Sequence, residues 1–141
     1  MGNYKLFVIL ILSISGYAQT DCSSFTNGTY KIETPFGDIL VERLENFQLE
    51  SSKDFGSVYL EKIESVSECE YYVRRYKILT LGDLPMPNMN EVMKTEIYKV
   101  EGNAYFYESQ MVGAEIKMKG ILLKISDEVS ENFKEIIKKN E

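Results

Sequence analysis

A chain of 141 residues with 16 Lys and Arg against 22 Asp and Glu carries a net charge of −6. Acids and bases alternate without a basic stripe, and such a surface repels phosphate backbones and anionic bilayers; nucleic-acid binding and membrane insertion are not expected. The absence of histidine removes Ser-His-Asp and Cys-His nucleophiles and the commonest general base, so the chain reads as a non-catalytic protein needing no cofactor and no metal.

The chain opens with one cation, Lys5, followed by an apolar run from Leu6 to Ile14 and small residues up to Ala18. That order is the pattern of a secretory signal, and the run is shorter than the roughly 20 apolar residues of a membrane span. The expected organisation is a signal peptide at 1–18 and a single β-rich domain at 19–141, exported to the periplasm or the extracellular space. Loss of Lys5 would take the net charge from −6 to −7. The only two cysteines, Cys22 and Cys69, are most simply a disulfide in an oxidising compartment.

From Gly28 the residues fall into short Val-, Ile-, Tyr- and Phe-rich segments between polar turns, the pattern of an all-β domain. The predicted strands are 28–33, 38–43, 47–51, 56–66, 69–79, 96–100, 104–110 and 115–125. The phase of alternation slips between Leu60 and Ile63, which suggests a bulge, and Gly120 suggests another. Residues 82–90, with two prolines and a glycine, form a loop. From Asp127 onward, Val129, Phe133, Ile136 and Ile137 repeat at helical spacing, with Ser126 or Asp127 placed to cap and Lys134, Lys138 and Lys139 toward the C-terminus. The fold class is therefore all-β and mainly antiparallel. About eight strands form a barrel or half-barrel, with one amphipathic C-terminal helix, at about 127–139, packed on its outside.

Two patterns carry a family resemblance. Cys22-x-x-Phe25-x-x-Gly28-Thr29-Tyr30, followed by Arg43, Gln48 and Glu50, and then Cys69-Glu70-Tyr71, resemble a group of small exported bacterial proteins of unassigned function. More loosely, Gly28-Thr29-Tyr30 opening the first of about eight strands is similar to lipocalin-like barrels. Tyr30 stands where lipocalins prefer Trp, and Lys124 is the late cation where they prefer Arg. The resemblance implies architecture and transfers no binding residue.

Three groups of residues could form contacts with a ligand or partner. Arg74 and Arg75 must point to opposite faces of their strand. With Arg43 and the carboxylates of Glu50 and Glu70, an inward Arg could form an interior ion pair or hold an acidic ligand bidentately. The simpler reading pairs it with an acid on a solvated face. Tyr71, Tyr72, Tyr105 and Tyr107 belong to a set of tyrosines that would make a stacking surface if they shared a face; Tyr is also an ordinary strand residue. Met86, Met89 and Met93 could offer thioethers to Cu(I) but have no His or Cys beside them, and gap filling or cover over a barrel mouth is the more ordinary role.

Two functions remain: a cell-envelope interaction module with a filled interior, or a lipocalin-like barrel that binds a small apolar or amphipathic ligand. Interior volume separates them. The abundance of bulky Tyr, Phe, Ile and Leu in so short a domain favours a filled interior and hence the interaction module, with an unknown envelope protein as its partner.

Overall fold

The computed structural model describes residues 20–141, so the expected signal peptide lies outside the described residues. Eight strands run up and down in sequence order and close into one antiparallel barrel. They are β1 (Gly28–Thr34), β2 (Gly37–Leu44), β3 (Phe47–Ser52), β4 (Ser57–Ser65), β5 (Glu70–Thr80), β6 (Val92–Glu101), β7 (Ala104–Met111) and β8 (Lys117–Ser126). A single helix, α1 (Glu131–Asn140), follows. Closure leaves no free lateral edge along the paired length, which is how a meander of polar-flanked strands avoids edge-to-edge association.

The predicted strands match closely except at β6, which begins four residues before Glu96. The helix also begins later than expected. β8 continues to Ser126, and the N-cap is Ser130, whose hydroxyl accepts from Phe133 N at 3.2 Å. Val129 packs against the helix-covered core in phase with Phe133 without being helical, which is why the helical periodicity extends back to it. Glu42, on the outer face of β2, fastens the cap: Ser130 N donates to one of its carboxylate oxygens at 2.6 Å and Ser130 Oγ to the other at 3.1 Å.

Two separate cores result. Outside the barrel, Phe47, Leu49 and Leu60 on β3 and β4 are covered by Phe133 and Ile137 of the helix. Inside, Phe25, Tyr30, Val41, Tyr71, Ile97 and Tyr105 pack around one end of the barrel. Leu60 therefore faces the helix while Tyr59, Glu61 and Ile63 face inward, so the slip of phase is two faces both being buried. The bulges lie on the partner strand: β5 has an extra residue against β4 at Tyr76 and at Leu79. Gly120 is not a bulge, since β8 stays in register with β7 there. It lies opposite Tyr107, and a Cβ would meet the phenol, 2.9 Å from its Cε1; the glycine makes room for the ring.

The disulfide joins Cys22 to Cys69 as expected, with their Cα atoms 5.3 Å apart. It anchors the segment that carries Phe25, whose ring plugs the barrel end against Tyr30, Tyr71 and Tyr105 at centroid distances of 5.1, 5.8 and 4.9 Å. Lys124 closes the same end from β8. Its ammonium donates to Ser24 O at 2.8 Å and lies 5.8 Å from the centre of the Tyr30 ring. No helix among the described residues is long and apolar enough to cross a membrane.

Candidate functional site: a charged cavity inside the barrel

The inward residues of β2, β3, β4 and β5 stand directly opposite one another in register: Arg43 pairs with Gln48, Gln48 with Glu61, and Glu61 with Arg75. The backbone ladder thus aligns their side chains as one row across four strands. Arg43 Nε donates to Gln48 Oε1 at 2.8 Å, and Gln48 Nε2 donates to Glu61 Oε2 at 2.7 Å. The Arg75 guanidinium lies 3.9 Å from the other Glu61 oxygen. Arg43, Gln48 and Glu61 are all buried. The bulge at Tyr76 immediately follows Arg75, a place where such an irregularity aims a side chain.

Both guanidiniums rest on aromatic faces. The Arg43 carbon lies 4.5 Å from the centre of Phe25 and 4.2 Å from that of Tyr71, and Arg75 lies 4.5 Å from the centre of Tyr59. Stacking of this kind holds the planar groups rigid and stabilises them by about 0.5–2 kcal/mol each.

These residues form one wall of a cavity of about 430 Å³. Glu50 shares that wall, while the opposite side is apolar, from Ile32, Met93, Met118 and Leu122, and Val73 adds an apolar group beside Arg75 on β5. Between them the hydroxyls of Thr95 and Ser109 bond to each other at 2.6 Å. The cavity reaches the surface where the barrel seam is incomplete. β1 pairs with β8 only from Thr29 to Lys31, which leaves Ile32–Thr34 and residues 117–121 unjoined, and Glu33, Thr34, Lys119 and Ile121 flank the opening. A second cavity of about 370 Å³ lies near the disulfide and meets the first at Arg43 and Tyr71.

Burial perturbs the acids. Glu61 is pushed up from 4.5 to about 8, first by loss of water and then by the nearby charge of Glu50, with Gln48 and the two arginines opposing. Glu50 is raised as well, again by burial, with Arg75 opposing. Tyr107, facing the same space, is pushed up to about 12 by burial. The negative charge of Glu50 thus adds to burial in opposing ionisation of Glu61. Arg75 Nε is buried without a hydrogen-bond partner among the described residues.

Several expectations are corrected by this arrangement. The interior is open, because much of the bulky apolar volume lies under the helix. Arg75 is inside, 3.9 Å from Glu61; Arg74 is on the solvated face but stands opposite Lys62 and Val92, with no acid partner among the described residues. The interior acids are Glu50 and Glu61, whereas Glu70 is on the outer face, 3.0 Å from Lys94. Glu61 was not singled out from the sequence, although it alternates with the inward Tyr59 and Ile63. The tyrosines do not share a face: Tyr71, Tyr105 and Tyr107 are inside, while Tyr72 pairs outward beside Lys94. Met93 lines the cavity, but Met86 and Met89 are exposed in the 81–91 loop, and neither lines it. Compared with protein-family models, curated proteins and solved structures, the chain matches none.

Proposed function

We propose that this is an exported, non-catalytic barrel that binds a small amphipathic ligand in its interior. The observation that carries the reading is the cavity of about 430 Å³, within the range of about 300–1,000 Å³ typical of small-molecule sites. It has an apolar side to bury a hydrocarbon body and a charged side to orient a polar head. Export accords with the signal-like N-terminus and with a disulfide, which persists in oxidising compartments. A lipocalin-like relationship accords with the eight-stranded meander, the outer helix and the Lys124–Tyr30 contact.

The test is a titration with N-phenyl-1-naphthylamine, a neutral dye that brightens in apolar surroundings. One saturable site per chain is expected, weakened at least tenfold in Val73→Phe, which fills the cavity from β5. No saturable binding, or equal binding by a folded V73F, would defeat the reading.

An envelope interaction module is favoured by a different observation. Tyr98, Phe106, Ile121 and Leu123 line an external groove of about 570 Å³ beside the unjoined seam. Dye held there would survive V73F unchanged.

A further inference from the structure

The charged wall has more hydrogen-bond donors than protein acceptors. A guanidinium carries five N–H donors; Arg43 commits Nε to Gln48, and Arg75 reaches Glu61 only at 3.9 Å, with its Nε buried and unpartnered among the described residues. The outer guanidinium nitrogens of Arg75 make no hydrogen bond among the described residues and, unlike Nε, are not sealed off, so they are the donors a ligand oxygen can meet. Among the acceptors, the Gln48 carbonyl is taken by Arg43 and one Glu61 oxygen by Gln48, while the Glu50 carboxyl shares the wall without a hydrogen bond to either guanidinium among the described residues.

Charge selects among the possible heads. The groups facing the cavity are Arg43 on β2, Glu50 on β3, Glu61 on β4, Tyr71 and Arg75 on β5, and Tyr107 on β7, with Tyr59 of β4 behind Arg75. β6 contributes Met93 and Thr95 and no titratable group; at the mouth, Glu33 of β1 and Lys119 of β8 flank the opening with opposite charges. Tyr30 and Lys124 lie at the plugged end. Tyr107, pushed up to about 12 by burial, adds no charge near neutral pH. With Glu61 held protonated by burial, the two guanidiniums outnumber the carboxylates that face them, and the wall keeps a positive charge. An anionic head is drawn to that charge and a cation is repelled.

Resting on the cavity reading, we propose that the ligand is a monocarboxylate, its head on the Arg75 guanidinium and its hydrocarbon body along the apolar side toward the β1–β8 gap. The Glu50–Glu61 pair sets how tightly that head is held. A guanidinium pairs with a carboxylate in a fork of two parallel hydrogen bonds, and Tyr59 keeps the plane of Arg75 fixed for it. Ionisation of Glu61, centred at about 8, removes the excess positive charge and places a second anion beside the ligand. Affinity for a carboxylate therefore falls as pH rises through that value, approaching tenfold per pH unit above it; affinity for a neutral ligand does not.

The experiment displaces bound N-phenyl-1-naphthylamine with octanoate, 1-octanol or octylamine. At pH 6.5, octanoate is expected to displace the dye at least tenfold more effectively than either of the others. That preference, measured against each protein's own dye affinity, should vanish in Arg75→Met. From pH 7 to pH 9 the octanoate advantage should shrink about tenfold in the native protein and hold steady in Glu61→Gln. Equal displacement by octanoate and 1-octanol from a protein that binds the dye would overturn the inference and leave the cavity reading standing. An advantage unchanged from pH 7 to pH 9 would overturn the role of the carboxyl pair. Failure to bind the dye at all would sink both readings together. Should R75M not fold, the native protein and E61Q still decide the matter.

Discussion

Replacing Glu61 by glutamine should have little effect on stability in mild acid and a large stabilising effect a few pH units higher. The carboxyl titrates at about 8 in the folded protein against 4.5 when free, so between those values the folded state keeps a proton that the unfolded state has lost. Stability contributed by that proton is complete below 4.5 and is lost as pH rises through 8, at up to about 1.4 kcal/mol per pH unit. Over the whole window the loss sums to about 4–5 kcal/mol, an upper figure because the charge of Glu50 acts on Glu61 and the two titrate together. The amide introduced by E61Q would keep an acceptor for Gln48 Nε2 and would not ionise. E61Q should lie within about 1 kcal/mol of the native protein at pH 5 and exceed it by about 3–5 kcal/mol at pH 8.5. Urea unfolding followed by far-UV circular dichroism at half-unit steps from pH 5 to pH 8.5 measures the difference directly. The subtraction cancels the exposed carboxylates, such as Glu108 and Glu131, which lysine partners hold below their ordinary range. Parallel stability curves for the two proteins would refute the claim that Glu61 is buried beside an uncompensated acid.

Other perturbations should separate the two cores and the plug. Phe133→Ala empties the fully buried site beneath the helix and should cost about 3–5 kcal/mol in urea unfolding, with dye binding in the remote cavity retained. Ser130→Ala removes the N-cap and strands Glu42, for a loss of about 1–2 kcal/mol by the same measurement. Cys22→Ser with Cys69→Ser opens a link between residues 47 apart and should cost about 4 kcal/mol. Peptide mapping without reductant should recover the joined peptides from the native chain alone. Arg43→Met leaves Gln48, and through it Glu61, short of a partner at the plugged end and should destabilise by about 3–5 kcal/mol.

The barrel was legible in the sequence because its turns are punctuated by Gly, Asn and Pro and its strands are rich in aromatic and branched residues. Even the outer helix announced itself through Phe133 and Ile137. β6 was read short because Val92-Met93-Lys94-Thr95 follows a proline loop and carries little aromatic signal. The cavity was not legible, for a reason of volume. Counting large apolar residues does not reveal on which side of a strand they are spent, and Phe47, Leu49, Leu60, Phe133 and Ile137 are spent outside the barrel. Glu61 escaped notice because an acid in a strand reads as solvated until its neighbours at alternate positions are known to face inward. Arg43, Gln48 and Glu50 were visible as a motif, yet only the cross-strand register shows that they share a wall with Arg75.

The claim that the barrel interior is the binding site is tested most directly by nuclear Overhauser contacts between N-phenyl-1-naphthylamine and protein labelled at its Val, Leu and Ile methyls. Contacts to Val41, Val73 and Leu122, which line the cavity, with none to Leu49 or Leu60 beneath the helix, are the predicted result. Contacts to Leu123 on the external groove, with none to Val41, Val73 or Leu122, would contradict it and hand the function to a surface.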